Sequence, residues 1–121
     1  VVALDMKNKG HEIGSVSIAG EPDVIWNNQN KGRLYCAIGK PGVIDVIDTH
    51  TMTLAEEIHT EEGAHTFAFD STRQLLYAFL PDSCCAAVYI GLYELLHLFI
   101  HVKVSCQNIK WIKERRKLKI R

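Results

Sequence analysis

The sequence predicts an all-β fold built from repeated antiparallel strands. Short apolar runs alternate with clusters of turn-forming residues over positions 1–90, a pattern typical of strands joined by tight turns. Shifting the chain by 42 positions superimposes residues 24–37 on residues 66–79 without a gap. A repeat of this length, made of short strands, is the size of one four-stranded propeller blade. We therefore predict a partial β-propeller with about two antiparallel four-stranded blades, followed by an atypical C-terminal extension.

A first partial blade is predicted over residues 1–18. VVALD at the start is a short apolar run that ends in an acid, and it is similar to VIDVID at 43–48. Both are interpreted as the third strand of a blade, closed by a turn in which Asp and Thr side chains can bond the backbone. Residues 11–18 would then form the fourth, outer strand.

A full blade is predicted over residues 22–60. It begins at Pro22, because proline cannot donate to a strand ladder and therefore separates this blade from the preceding run. A polar loop at 27–32 and a tight Lys40-Pro41-Gly42 turn separate the first three strands. The predicted strands are 23–27, 33–39, 43–48 and 53–60.

A second partial blade is predicted over residues 64–90, where the copy of the repeat supplies three strands. Pro81-Asp82-Ser83 provides its second turn. Apolar and polar positions do not alternate strictly in either copy, as expected for sheets that pack on neighbours through both faces. The predicted strands are 65–70, 75–80 and 85–89.

Three runs, PDVIWNNQNKGRLYCA, VIDVIDTHTMTLAEEI and AHTFAFDSTRQLLYAF, resemble the YVTN-type β-propeller repeat. The resemblance covers residues 1–90. Trp26 and Cys36 depart from it, since small or β-branched residues are usual at those positions. The resemblance implies a propeller in which ligands or substrates lie at the central channel, and a parent protein of a kind that is often exported.

Length indicates that the chain is not a whole ring. Propellers typically close with four to eight blades, whereas residues 1–90 of the 121-residue chain hold only about two at this repeat length. We therefore expect a fragment or a truncated gene product. The first residues show no signal peptide, which favours a cytoplasmic location for this chain.

Residues 91–121 differ from the repeat in charge and composition. They carry two acids and eight bases, whereas residues 1–90 carry twelve acids and six bases, although the formal net charge is zero. The apolar stretch at 90–104 is interrupted by charged residues and is shorter than the roughly 20 residues that a membrane helix needs. No membrane span is therefore expected, and a frameshift after about Tyr89 is one hypothesis for the change.

The apolar part of the extension is compatible with a helix or with a strand. We favour a strand at 98–105, because the second partial blade lacks a fourth strand at that point, and a further edge strand at 109–112. The basic end, 110–121, has no groove-reading element beyond Trp111. It is predicted to be solvated rather than bound to nucleic acid.

Asp23 and His65 are the candidate ligand-binding residues. They occupy equivalent positions of the repeat, where each innermost strand starts. In propellers that this sequence resembles, loops at this end of the inner strands surround the central channel. Turn and capping roles are the alternative for both residues. No catalytic residue is predicted.

No metal site and no cofactor is predicted. Glu94, His97 and His101 would share one face of a helix, and imidazoles with a carboxylate suit zinc, but the HExxH motif is absent and ordinary packing is the better interpretation. The four cysteines have no CxxC spacing and are interpreted as free thiols. Of Cys84 and Cys85, one is predicted to be buried and the other to lie at an edge.

Two functions of different classes fit these features. The first is a non-catalytic repeat scaffold that binds a protein or a small molecule. The alternative is the remnant of a propeller enzyme, lactonase-like or quinoprotein-like, with its active site at the central channel. Unclosed blade edges also predict self-association of the chain.

Overall fold

The computed structural model of the chain describes residues 1–90 and 102–105. They form ten strands and two short 3-10 turns, Met6–Asn8 and Gln29–Lys31. No helix in these two ranges is long and apolar enough to cross a membrane. The strands are β1 (Val2–Asp5), β2 (His11–Ser15), β3 (Pro22–Asn28), β4 (Arg33–Ile38), β5 (Val43–Asp48), β6 (Thr53–His59), β7 (Phe67–Asp70), β8 (Leu75–Leu80), β9 (Cys85–Ile90) and β10 (Val102–Ser105).

The strands form three antiparallel sheets in chain order. The first sheet contains β1 and β2, the middle sheet β3 to β6, and the third sheet β7 to β10. In each sheet every strand pairs with the one that follows it in the chain. The predicted all-β class with antiparallel sheets is therefore confirmed.

The sequence repeat reappears in the pairing of the strands. In the middle sheet Ile25 pairs with Cys36, and in the third sheet Phe67 pairs with Ala78, each 42 positions further on. The pairing of β4 with β5 and that of β8 with β9 also match at this shift along all six residue pairs. The first three strands of the two sheets thus share one register.

The first sheet repeats the outer half of the middle sheet. Both strand pairs contain an irregularity at the same place, between Ala3 and Leu4 in the first sheet and between Val46 and Ile47 in the middle sheet. A bulge adds one residue to one strand and bends it. Residues 2–15 therefore form a strand pair with the same irregularity as β5 and β6.

The third sheet is completed by β10, which pairs with β9. The strand predicted at 98–105 is therefore present over its second half, whereas 98–101 and the strand predicted at 109–112 lie outside the described residues. Val88 pairs with Val102, although the middle sheet pairs Val46 with Glu56. The outer strand of the third sheet is thus displaced by four residues relative to the repeat.

The middle sheet is buried on both faces. Three consecutive residues of β4 and five of β5 are buried, namely Cys36 to Ile38 and Val43 to Ile47. In β8 buried and exposed residues alternate instead, because only one face of the third sheet is covered. The expectation that both copies pack through both faces is therefore met in the middle sheet, whereas β8, although equally apolar, leaves Tyr77 and Phe79 exposed.

Two apolar clusters join the three sheets. The larger one lies between the middle and third sheets and includes Ile44, Val46 and Ile58 on one side and Leu76 and Leu80 on the other. At its border the Tyr35 ring stacks on Phe69 with the centroids 5.3 Å apart. The smaller cluster contains Cys36, Ile38 and Val43, and two residues that flank the first-sheet strands, Val1 and Ile18, pack against it.

Two of the strands predicted within residues 1–90 are shorter in the structure by two or three residues. β2 ends at Ser15 rather than at Ile18, although the Val16 amide still donates to the Val1 carbonyl. β7 begins at Phe67 rather than at His65, because the amides just before it take part in a turn. The Ala64 amide donates to the Glu61 carbonyl, and the His65 amide donates to the Gly63 carbonyl.

Candidate functional site

A cleft of about 590 Å³ opens where three connecting segments meet at one end of the middle sheet. One segment leads from the first sheet into β3, the second is the β4–β5 turn, and the third is the connection into β7. We call it the strand-entry cleft. Its lining residues are Gly20, Glu21, Pro22, Asp23, Gly39, Lys40 and His65.

Two glycines allow these segments to approach each other closely. A Cβ atom at Gly20 would lie 2.5 Å from the Lys40 carbonyl oxygen, and one at Gly39 would lie 3.2 Å from the His65 Cβ. The Gly63 amide also donates to the Gly39 carbonyl at 2.6 Å. The positions of Lys40 and His65 beside each other therefore depend on small residues in the neighbouring backbone.

Asp23 and His65, the two residues singled out from the repeat, both line this cleft. His65 Nε2 lies 3.8 Å from Asp23 Oδ2. About 60% of the Asp23 side chain and 56% of the His65 side chain is exposed. The pair is within ion-pair distance when the imidazole carries both protons, but it does not form a direct hydrogen bond.

Two further charged side chains, Lys40 and Glu21, border the cleft. The repeat did not single them out. Lys40 Nζ lies 3.9 Å from Glu62 Oε1, and both groups are highly exposed. Glu21 lines the cleft beside Pro22. The signal that could have found Lys40 is its turn, because a β4–β5 turn lies at the same end of the sheet as the start of β3.

The cleft has the chemistry of a polar binding site. It presents two carboxylates, an ammonium group and an imidazole at its surface, all accessible to water. Carboxylates accept hydrogen bonds from ammonium groups, whereas the Lys40 ammonium and the His65 imidazole can donate to carboxylates or phosphates. The arrangement is therefore able to contact a polar group of either charge.

No group of three or more His, Cys, Asp or Glu side chains suited to a metal ion is found in residues 1–90. The alternative zinc set of Glu94, His97 and His101 lies outside the described residues. Within the cleft only Asp23, Glu21 and His65 have metal-binding side chains, and they do not form such a group.

The cysteines have separate environments. Cys85 is buried, as predicted for one of the pair, and its Sγ donates to the Ser83 carbonyl, whereas Cys84 is exposed in the β8–β9 turn rather than at a strand edge. Cys36 is buried in the middle sheet, and burial together with the facing Asp45 carboxylate raises the pKa of its thiol. Cys36 therefore stays protonated and is a poor nucleophile.

A buried carboxylate, Asp45, was not anticipated from the sequence. It lies within β5, and its Oδ2 accepts a hydrogen bond from the Ala19 amide at 2.9 Å. Its Oδ1 has no hydrogen-bond partner within the described part of the chain. Asp45 thereby fixes the segment that leads from the first sheet towards the strand-entry cleft.

Comparison of the chain with protein-family models, curated proteins and solved structures gave no match.

Proposed function

We propose that the chain is a non-catalytic binding scaffold built from β-propeller-type repeats, with ligand contact at the strand-entry cleft. The observation that carries the proposal is the meeting of Asp23 in β3 and His65 in the connection into β7, two equivalent repeat positions, in one open polar cleft. A repeat scaffold presents side chains from successive units on a shared surface, and here the shared surface is the end of the sheets where the innermost strands begin.

The sheet arrangement supports a propeller-type repeat. Each four-stranded sheet is a simple meander, and its strands pair in chain order. The middle sheet is covered on both faces by its neighbours along the chain. Successive meanders that stack face to face are the arrangement expected of propeller blades, and the shared register indicates that one unit has been repeated.

The charges of the cleft suggest the class of ligand. Asp23 and Glu21 can accept from an ammonium group, while Lys40 and His65 can donate to a carboxylate or a phosphate. Since both signs are present and exposed, the cleft suits a small polar ligand or a peptide end that carries a charged group.

Nuclear magnetic resonance titration tests the proposal with two simple probes, methylammonium and acetate. We expect methylammonium to shift the amide signals of residues 20–23 and acetate to shift those around Lys40 and His65. Asp23→Asn should remove the first response and His65→Gln the second. Asp82→Asn and His11→Gln, which change exposed side chains elsewhere, are the matched controls.

Shifts spread evenly over the surface, or shifts that survive in both cleft variants, would count against ligand contact at this cleft. The two substitutions are expected to leave the fold unchanged, because both side chains are more than half exposed. Such a result would therefore bear on the ligand site and not on the fold.

The enzyme alternative rests on the same Asp23 and His65 pair, since a carboxylate beside an imidazole is also a fragment of a hydrolytic site. It predicts hydrolysis of simple lactones by the chain when a divalent metal is added. Activity that disappears in Asp23→Ala and in His65→Ala, but not in His11→Gln, would replace the scaffold proposal. No metal-dependent hydrolysis is expected if the scaffold proposal is right.

A further inference from the structure

The stack of three sheets ends in two exposed apolar faces. On the outer side of the first sheet Val2 and Leu4 are 55% and 53% exposed. On the outer side of the third sheet Tyr77 and Phe79 are exposed, and Phe79 retains half of its accessible surface. Apolar side chains that are neighbours on one sheet face mark a contact surface more strongly than isolated exposed residues do.

The outer face of the third sheet is a copy of a face that is buried inside the molecule. At the 42-residue shift Tyr77 and Phe79 correspond to Tyr35 and Ala37, and Val88 corresponds to Val46. Those three middle-sheet residues belong to or border the cluster that packs against the third sheet. The exposed face of the third sheet therefore corresponds to the face through which the middle sheet packs against the third sheet.

The outer face of the first sheet corresponds to the other face of the middle sheet, the one that packs towards the first sheet. When β1 and β5 are aligned on their final aspartates, Asp5 and Asp48, Val2 corresponds to Asp45 and Leu4 to Ile47. Asp45 accepts a hydrogen bond from Ala19, and Asp45 and Ile47 are fully buried. The middle sheet packs against the first sheet and its flanking residues through this face.

From these two faces we infer that copies of the chain associate head to tail. The outer face of the third sheet in one copy packs on the outer face of the first sheet in a second copy, and so continues the stacking found twice inside each molecule. The contact is heterologous, because the two faces differ. Each copy in a pair keeps one free face, so further copies add until a ring closes or a filament grows.

The inferred contact uses sheet faces, whereas the association expected from the sequence alone uses strand edges. The two modes differ in the side chains on which they depend. Face stacking requires Phe79 and Leu4, which project from the sheets, while edge pairing requires backbone groups and tolerates changes at both residues.

Sedimentation equilibrium of the full chain over a range of concentrations tests the inference, with a reductant present because Cys84 is exposed. We expect the average mass of the unmodified chain to rise past that of a dimer. Leu4→Asp and Phe79→Asp each place a charge on one end face. Both side chains are about half exposed and belong to neither apolar cluster, and each variant alone should remain monomeric.

The decisive measurement is a mixture of the two variants. Leu4→Asp retains a normal third-sheet face and Phe79→Asp retains a normal first-sheet face, so together they should form a complex that stops at one copy of each. Ile25→Asp is the matched control, because Ile25 is 57% exposed but belongs to the middle sheet, and it should associate as the unmodified chain does.

Three results would overturn the inference. These are a monomeric unmodified chain at every concentration, self-association of both end-face variants at the level of the unmodified chain, and failure of the mixed variants to form a complex. The second result would assign the association to strand edges instead.

Discussion

At the scale of single residues, aspartates repeatedly close the turns that follow strands. The carboxylate of Asp5 accepts from the Lys7 amide, that of Asp48 from the His50 and Thr51 amides, and that of Asp70 from two amides in the next turn. An Asx turn of this kind substitutes a side-chain oxygen for a backbone carbonyl. The sequence could predict this role for the first two aspartates, since it depends on local chain geometry alone.

Asp48 makes the strongest set of these bonds, and it predicts a pH dependence of stability. Hydrogen bonds from the Thr51 and His50 amides and from the Arg33 guanidinium lower the pKa of Asp48 to about 2, from an ordinary value of 3.8. A carboxylate with a lowered pKa in the folded state stabilises that state above its unfolded-state pKa. This contribution is lost as the pH falls from about 4 to about 2.

We therefore expect Asp48→Asn to lower the melting temperature at neutral pH and the difference from the unmodified chain to shrink as the pH falls through that window. Thermal melts at closely spaced pH values measure it. Asp82→Asn, which removes an exposed acid from the β8–β9 turn, controls for general charge effects. Parallel melting curves for Asp48→Asn and the unmodified chain from neutral pH down to about pH 2 would contradict the assignment.

The candidate site shows where prediction at this scale ends. Asp23 and His65 could be singled out because the repeat places them at equivalent positions. Lys40 could be placed at this end of the sheet from its turn alone. Glu21 and Asp45 could not be singled out, since their roles depend on which loops meet at the end of the sheet and on which carboxylate becomes enclosed. Those are properties of packing between distant segments, and a single repeat unit does not encode them.

At the scale of elements, the turns repeat in conformation even where they do not repeat in sequence. Gly32 and Gln74 both have positive φ, as do Gly42 and Cys84, and the members of each pair are 42 positions apart. Glycine adopts this conformation without steric cost, whereas other residues are strained in it. The third sheet thus keeps the turn geometry of the middle sheet with less favourable residues, which is why its turns are weaker sequence signals.

The surroundings of Gly42 and Gly10 predict different losses of unfolding free energy when each is replaced by alanine. Gly42 has a φ of 92°, and a Cβ there would lie 2.5 Å from backbone atoms of Glu61. Gly10 also has positive φ, but a Cβ there would meet nothing within 4 Å. Gly10→Ala should therefore cost about 1–2 kcal/mol of unfolding free energy from backbone strain alone.

Gly42→Ala carries the same kind of strain and in addition forces the β4–β5 turn away from the connection into β7. We expect it to cost clearly more than Gly10→Ala in urea denaturation, and to shift the signals of the residues that line the strand-entry cleft. Equal losses for the two substitutions would show that the backbone at Glu61 moves aside freely.

The outer strand of the third sheet marks the limit of prediction for elements. The first three strands of that sheet follow from the 42-residue shift, because the residues that pair are themselves repeated. The position of β10 does not follow, since the repeat predicts a partner for Val88 four residues earlier than Val102. The sequence after Ile90 departs from the repeat, so only the vacant edge of β9 indicated that a strand would be found there.

At the scale of the whole molecule, burial is unequal among the three sheets. The middle sheet is held from both sides, by a cluster of twelve buried residues towards the third sheet and by a cluster of three towards the first. The first sheet contributes only two strands and contacts the smaller cluster. Regions with few buried apolar contacts open at lower free energy. The free energy of opening should therefore be lower in the first sheet than in the middle sheet.

Native-state hydrogen exchange measures this gradient directly. We expect the amides of β4 and β5 to exchange only by global unfolding, whereas those of β1 and β2 exchange through a local opening that exposes little surface and depends weakly on denaturant.

Ile18→Ala, which removes a contact with the smaller cluster, should speed exchange in the first sheet and leave β8 unchanged. Ile44→Ala removes a fully buried side chain from the larger cluster and should cost about 2–5 kcal/mol throughout the middle and third sheets. Identical exchange free energies in β1 and β5 would show instead that the smaller cluster is sufficient to make the three sheets unfold as one unit.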